Sequence, residues 1–382
     1  MLTDAQKSVI TATVPVLAEH GVALITHFYG RMLKYNPELQ QVFNITHQRT
    51  GHQARALASA VLAYAQHIDN PAVLQKAVTH IAHKHVSVGI RAEHYPIVGH
   101  HLIESIREVL GEAASPSIIE AWTAAYEQLA QIMIAAEGTL YSEAACSQGG
   151  WSGWRSFVIT EKCSETDDVV SLLLKPVDGG SVMAVKPGQY VSVRLFLREE
   201  NMVQPRQYTV TQSGTNHLRI TVKHVSAQGS KPEGMVSKAL HASPVGTVVD
   251  VSAPAGELTL PEGRTPVVFI SAGIGVTPIV AMLKTIEETR EVVHLHVCRT
   301  SNDFVLRNEV EAAMEGRDCR TLHVCYTQDK GRPDAATYGT LVRPEADYVI
   351  CGPDGFMKDV VHTLTGLGVP ADKLHIERFS VG

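Results

Sequence analysis

The chain has 382 residues, enough for two or three domains with separate cores, and its 45 % hydrophobic and 19 % charged residues are those of an ordinary soluble globular protein. A formal charge of −6 leaves no basic footprint, so nucleic acid and anionic membranes are not expected partners. The opening MLTDAQKSVI lacks the apolar region of a secretory signal, and runs such as AQIMIAAEG are short and end in a charge, so no membrane span is expected either.

Cys146, Cys163, Cys298, Cys319, Cys325 and Cys351 form no C-x-x-C pair. That spacing argues against a zinc framework, an iron–sulfur cluster and covalently attached haem. Scattered thiols in a long chain fit a reducing compartment, the cytoplasm. The 19 histidines identify no ligand by abundance alone.

Residues 1 to about 145 carry apolar residues at three- and four-residue spacings in LITHFYGRML, QARALASAVLAYAQHI, AVLQKAVTHIAHKH, YPIVGHHLIESIREVL and SIIEAWTAAYEQLAQIMIAAE. Pro37, Pro71, Pro96 and Pro116 fall at the junctions, where a missing N–H costs little, so an all-α domain is expected. The glycine-rich CSQGGWSGW ends it. The period then becomes two in DDVVSLLLKPV, QYVSVRLFL, RQYTVTQS, HLRITVKHV and TVVDVSAP, which predicts an antiparallel β-barrel over residues 151–262. From residue 265, PVVFISAG, PIVAMLKTIEETR, VVHLHVC, RTLHVCY, DYVICGP and GFMKDVVHTLTGLG alternate strand and helix, the pattern of an α/β doubly wound domain.

Between PVVFISAG and its helix, the loop Gly273-Ile274-Gly275-Val276-Thr277-Pro278 offers a backbone able to approach a pyrophosphate and a helix N-terminus to receive it. A tight structural turn would read the same way, and the third glycine of the usual fingerprint is absent. The next strand ends in Cys298-Arg299-Thr300, with no acid for a ribose hydroxyl, so NADH against NADPH stays open. In Arg206-Gln207-Tyr208-Thr209 an arginine suits a diphosphate and a tyrosine suits a flavin ring, although taken alone the segment could be any edge strand.

The order of these motifs, with Cys351-Gly352-Pro353 after them, resembles the ferredoxin-reductase-like family. The resemblance implies FAD at Tyr190, at Arg206, Gln207, Tyr208 and Thr209, and at Gly234, Met235, Val236 and Ser237. It implies NAD(P)H at Gly273 to Pro278 and at Cys351, Gly352 and Pro353 through Phe356, with Glu377 and Phe379 closing over the flavin. Lys238 and Val276 depart from the residues usual there.

The helical half, through HFYGRM, NPELQQVFN, HQARAL, IAHKHVSVGI, YPIVGHHL and AWTAAYEQLA, resembles the globin domain of bacterial flavohaemoglobins. That resemblance implies haem b with His85 as the iron ligand, although His80 and His83 compete by proximity alone. Glu137 and Tyr95 would brace His85, Tyr29, Gln53 and Leu57 would line the distal side, and Phe43 would pack on the porphyrin. Gln53 and Leu57, four apart, share a helix face. The implied activity is that of a monomeric nitric oxide dioxygenase, in which NAD(P)H electrons pass through FAD to haem and nitric oxide and dioxygen become nitrate. Lys84 and Glu377 would tune the electron path. The alternatives are a haem-assisted NADH oxidase or ferric or quinone reductase, and a gas-binding or sensing globin.

Overall fold

The computed structural model describes residues 2–43, 51–227, 229 and 232–379. Thr3 opens the first helix with a capping box: its hydroxyl accepts the Gln6 N–H, and the Gln6 side chain accepts the Thr3 N–H. Helix α1 (Asp4–Tyr35) then runs 32 residues through Pro15. By length and composition α1 could cross a membrane, which corrects the expectation that no apolar stretch reaches that length. Short apolar runs join into one long helix there, because only Glu19 and His20 interrupt residues 8–26 with a charge or an imidazole. In the fold its Ile10, Leu24, Ile25, Phe28 and Met32 are buried against the helices that follow, while Val16 and Val22 stay exposed.

Those helices are α2 (His52–Gln66), α3 (Gln75–Val88), α4 (His94–Leu110) and α5 (Pro116–Cys146). Pro37 and Pro71 start short 3₁₀ turns and Pro116 starts α5, while Pro96 sits in the first turn of α4. All four are where a proline's missing donor is harmless.

Next comes a closed barrel of β1 (Trp154–Thr166), β2 (Val169–Pro176), β3 (Tyr190–Leu197), β4 (Met202–Gly214), β5 (His217–Lys223) and β6 (Val248–Ser252), in the spatial order β1-β2-β5-β4-β3-β6 and antiparallel throughout. Phe157, Ile159, Leu172, Leu174, Val191, Val193, Leu218 and Ile220 fill its interior. Strand β1 is absent from the sequence reading because only its first half alternates; Glu161 to Ser164 are exposed in succession. Helix α6 (Met235–Ala242) covers one end of the barrel.

The last unit is a parallel sheet in the order β11-β10-β7-β8-β9, from β7 (Val267–Ala272), β8 (Val292–Cys298), β9 (Arg320–Tyr326), β10 (Asp347–Gly352) and β11 (Leu374–Arg378). Helices α7 (Val276–Leu283) and α8 (Arg307–Met314) pack on one face, and α11 (Asp354–Gly366) on the other, after the short α9 (Thr327–Lys330) and α10 (Ala335–Gly339). The α7 helix ends at Leu283, seven residues before the end of the segment PIVAMLKTIEETR that the sequence reads as helical.

On β8, His294 and His296 are fully buried, and the Ser271 hydroxyl lies 2.9 Å from a ring nitrogen of each. Burial holds both rings well below the ordinary histidine range, His296 at about 3. The folded rings stay neutral while the unfolded chain protonates near pH 6.5, so their contribution is complete above that pH and drains away as pH falls toward 3. Each histidine should remove about 1.4 kcal/mol of stability per pH unit in that window. Urea unfolding at pH 7 and 5 measures this; His296→Gln should flatten the slope, and an unchanged slope would refute the assignment.

Candidate active site

Helix α3 has one face on the helical core and another on the barrel. On the first, Val78 and Ala82 are buried beside Met133, and His85 points at α4 and α5. The His85 Nδ1–H donates to Glu137 Oε1 at 2.7 Å, and the Tyr95 hydroxyl donates to the same oxygen at 2.5 Å. Tyr95 also lies 3.2 Å from His85 Nδ1. Glu137 is only 2 % exposed, so this triad is sealed from solvent on the carboxylate side. Burial, reinforced by Glu137, raises the Tyr95 phenol above its usual range and keeps it a donor. Tyr126 fixes Tyr95 from behind by donating to its carbonyl at 2.6 Å.

With Nδ1 committed to a carboxylate, the lone pair of His85 lies on Nε2, the nitrogen suited to iron. Among the described residues no cluster of three or more His, Cys, Asp or Glu forms a metal-ion site. One protein nitrogen is the donor set haem iron requires, and His85 fits it. His80 and His83 turn instead to the barrel: His80 Nδ1 meets Glu257 at 3.2 Å, and His83 Nδ1 accepts the Gly256 N–H at 3.3 Å.

Tyr29, Phe43 and Leu57 meet in one cluster with Phe28, Met32 and Leu102. The Phe43 ring stands edge-on to Tyr29 at 5.8 Å between centroids. Burial pushes the Tyr29 phenol well above its usual range, and a hydrogen bond with Gln53 partly offsets the shift. Four residues called from the sequence for one pocket are thus together in space.

The other face of α3 meets the strands called for flavin. Lys84 Nζ lies 5.8 Å from the centroid of the Tyr190 ring. Ser87, which the sequence reading missed, hydrogen-bonds Tyr190 and lies 3.4 Å from Gln207 Nε2. Lys84 and Glu377 are each pushed toward their neutral forms by burial and held back by the other's charge. Where α3 ends, Gly89 has a φ of +79° and its Hα faces the Trp154 indole; a Cβ there would sit 2.9 Å from Nε1. Only glycine satisfies both conditions.

Tyr208 and Thr209 follow Arg206 on β4, opposite Val191 and Tyr190 of β3. Burial holds the Arg206 guanidinium below its ordinary range, and its Nη1 donates to the Pro205 carbonyl at 2.7 Å. A Cβ on Gly234 would meet Ser237 Oγ at 2.6 Å, and one on Gly256 would meet the Tyr190 ring at 2.8 Å. Met235, Val236 and Ser237 form the first turn of α6, a helix start able to face a phosphate. Lys238 is tied to Glu233 at 3.1 Å. Backbone drawn this close around an aromatic ring, an arginine and a helix start fits FAD.

At the parallel sheet, Gly273 has a φ of +52° and open space where a Cβ would stand, whereas a Cβ on Gly275 would collide with the Cys351 carbonyl at 2.4 Å. Ile274 and Thr277 are linked by a 2.9 Å hydroxyl–carbonyl bond, and Val276 and Pro278 are buried in α7. Cys351 is fully buried with Ser271 on one side and Glu377 on the other, and burial drives its thiol upward. Gly352 lies under Phe356, Pro353 caps α11, and Phe379 follows β11 half-buried.

The acid absent from the end of β8 in sequence arrives by folding. Asp303 Oδ2 accepts the Thr300 N–H at 3.0 Å and its hydroxyl at 2.6 Å, while Oδ1 holds Arg299 at 2.6 Å. The T-x-x-D spacing of a capping box was its signal.

Three family models match the chain: globin over residues 26–133, an oxidoreductase FAD-binding domain over 156–260, and an oxidoreductase NAD-binding domain over 269–362. A flavohemoprotein of Chromobacterium violaceum is 47 % identical across 99 % of this chain and 98 % of its own length. One from Bordetella pertussis is 44 % identical across 100 % and 99 %. Among solved structures, a flavohemoglobin from Malassezia yamatoensis with bound FAD and heme aligns with a TM-score of 0.90 at 31 % identity, covering 99 % of this chain and 100 % of that one. The FAD/NAD-binding domain of a Vibrio cholerae nitric oxide dioxygenase aligns with a TM-score of 0.54 at 34 % identity, covering 58 % and 97 %.

A carboxylate at the end of β8, already neutralising Arg299, disfavours a 2′-phosphate there. NADH should therefore be used in preference to NADPH, and Asp303→Asn should shift the ratio of their kcat/KM values toward NADPH by roughly tenfold, about 1.4 kcal/mol. Steady-state flavin reduction with each nucleotide checks this; a ratio unmoved by the substitution would contradict it.

Proposed function

The chain belongs to the flavohemoprotein family, and from that premise we propose that it acts as a nitric oxide dioxygenase. Its domains make it an NAD(P)H- and FAD-dependent haem oxidoreductase. The proposal adds the reaction: nitric oxide and dioxygen, with one electron, give nitrate. Oxidising nitrogen to nitrate releases three electrons and dioxygen takes up four, so a reductase must supply the fourth. One hydride from NAD(P)H serves two turnovers.

The observation that carries this reading is the 2.7 Å contact from Glu137 to His85. An imidazole whose N–H is held by a buried carboxylate donates more electron density through its other nitrogen, which favours activating dioxygen over merely storing it. FAD held there would supply a ring able to exchange hydride for single electrons, and haem held by His85 would supply a redox-active iron.

The chain's own residues do the rest. His85 would hold the iron, with Glu137 and Tyr95 fixing its tautomer. Tyr29 and Gln53 would donate hydrogen bonds to dioxygen, while Leu57 and Phe43 keep the pocket narrow and dry. Arg206 and the start of α6 would bind the flavin diphosphate, with Tyr190, Gln207, Tyr208 and Thr209 seating the flavin. Gly273 to Pro278 would receive the pyrophosphate of the nicotinamide nucleotide, and Cys351 to Pro353, with Glu377 and Phe379, would frame the reacting rings. Lys84 stands between the two redox sites. The working divisions are a globin domain over 1–145, a flavin barrel over 151–262 and a nucleotide domain over 265–382. One chain holds every part, which supports action as a monomer. Six free cysteines support a cytoplasmic setting.

Anaerobic reduction by NADH, followed by dioxygen and then nitric oxide, with visible spectra and a nitrate assay, tests the reading. Stoichiometric nitrate is expected. NADH consumption that ignores nitric oxide would instead establish an oxidase or reductase, and slow turnover at saturation a gas sensor. Tyr29→Phe should slow nitric oxide removal roughly tenfold by deleting one buried hydrogen bond to the substrate. Glu137→Gln should cost roughly ten- to a hundredfold, with a lowered iron–histidine stretching frequency. Unchanged turnover in both variants would sink the assignment of the pocket.

A further inference from the structure

Gln204 lies on β4 two residues before Arg206 and is fully buried. Its Nε2 donates to the Gln40 carbonyl at 2.6 Å, and the Phe43 and Val203 carbonyls lie 3.4 and 3.2 Å away. Its Oε1 faces Arg206 Nη1 at 3.4 Å. Carbonyls only accept and a guanidinium only donates, so the partners themselves fix which end of the amide points where.

One side chain therefore spans two sites. At one end is the arginine called for the flavin diphosphate. At the other is the turn that carries Phe43, whose ring meets Tyr29 edge-on. Three residues along the same strand, Gln207 reaches Ser87 on the helix of His85. A single strand thus touches the segments bearing both the His85 and the Tyr29 sides of the haem pocket.

We propose that Gln204 is a positioning residue that couples flavin seating at Arg206 to the shape of the pocket around Tyr29. A diphosphate draws a guanidinium into charge-assisted hydrogen bonds. The Gln204 amide, enclosed and bonded at both ends, must follow or lose a partner. Its grip on the Gln40 and Phe43 carbonyls passes the movement to the Phe43 ring. Such a coupling is reciprocal: a ligand in the haem pocket alters flavin affinity by the same factor that flavin alters affinity for the ligand. The proposal rests on FAD lying at Arg206 and haem lying between His85 and Tyr29.

The test uses the full-length chain carrying haem, with and without FAD, and carbon monoxide on the ferrous iron as probe. In the unaltered protein the C–O stretching band should move when FAD is removed, and FAD affinity should differ roughly fivefold or more between carbon monoxide-bound and free ferrous protein. In Gln204→Met both responses should vanish. Gln204→Glu retains an acceptor for Arg206 but sets a carboxylate against the Gln40 and Phe43 carbonyls. This near-isosteric variant should bind FAD and still lose the band response, which keeps the proposal testable should the methionine variant fold poorly. Domain adhesion alone would lower stability without moving the band or the affinity ratio. A band indifferent to FAD in the unaltered protein, or a full response in either variant, overturns the coupling. Failure to bind haem or FAD at all overturns instead the reading on which the coupling rests, and absorbance at the haem and flavin bands tells the two failures apart.

Discussion

Everything in this molecule is arranged around the double duty of one fourteen-residue helix, Gln75–Val88. A helical period of 3.6 residues sends neighbouring side chains to different sides, so His85 turns to Glu137 while Lys84 and Ser87 turn to Tyr190. The residues proposed for haem and those proposed for flavin thus share one helix. That proximity requires the helix to be held rigidly on both faces. Ala82 and Val78 pack it inward, and hydrogen bonds from Gly256 and Gln207, with the His80–Glu257 pair, hold it outward.

The electrostatics of the contact obey the same constraint. Glu377 is buried and Lys84 beside it is half-buried, and an unpaired charge in such a place is costly. Burial pushes each toward its neutral form, and each one's charge partly offsets that shift in the other, beside Tyr190. By contrast, the histidine pair of β8 is buried among aromatic rings with the Ser271 hydroxyl as its polar partner, and burial keeps the rings neutral.

How much of this was legible in the sequence depended on whether the signal was local. Helical period, strand alternation and glycine loops are local, and the three units follow from them. Strand β1 escaped because its second half is exposed on both sides, so no alternation exists to be read. The triad of His85, Tyr95 and Glu137 joins three separate helices, and no spacing rule could have assembled it; resemblance to a family did. Ser87 lay one helical step from residues already singled out, but a serine on a helix carries no distinctive pattern. Asp303 was recoverable, since Thr300 and Asp303 have capping-box spacing, although it lies beyond the strand end where such an acid is usual. Gln204 gave no sign of its reach, because the Gln40 and Phe43 carbonyls it meets are more than 150 residues away.

The glycine at the end of that central helix has a bearing on how such a protein can be assembled from parts. Gly89 admits the Trp154 indole where any other residue would put a carbon atom, so the tryptophan seats directly on the helix terminus. A foreign globin of matching length, spliced to this reductase but carrying a side chain at that position, would be wedged outward by the width of that side chain. Modularity in this chain therefore stops short of interchangeability: each half has been shaped to the other at the joint, and the joint is smallest where it matters most.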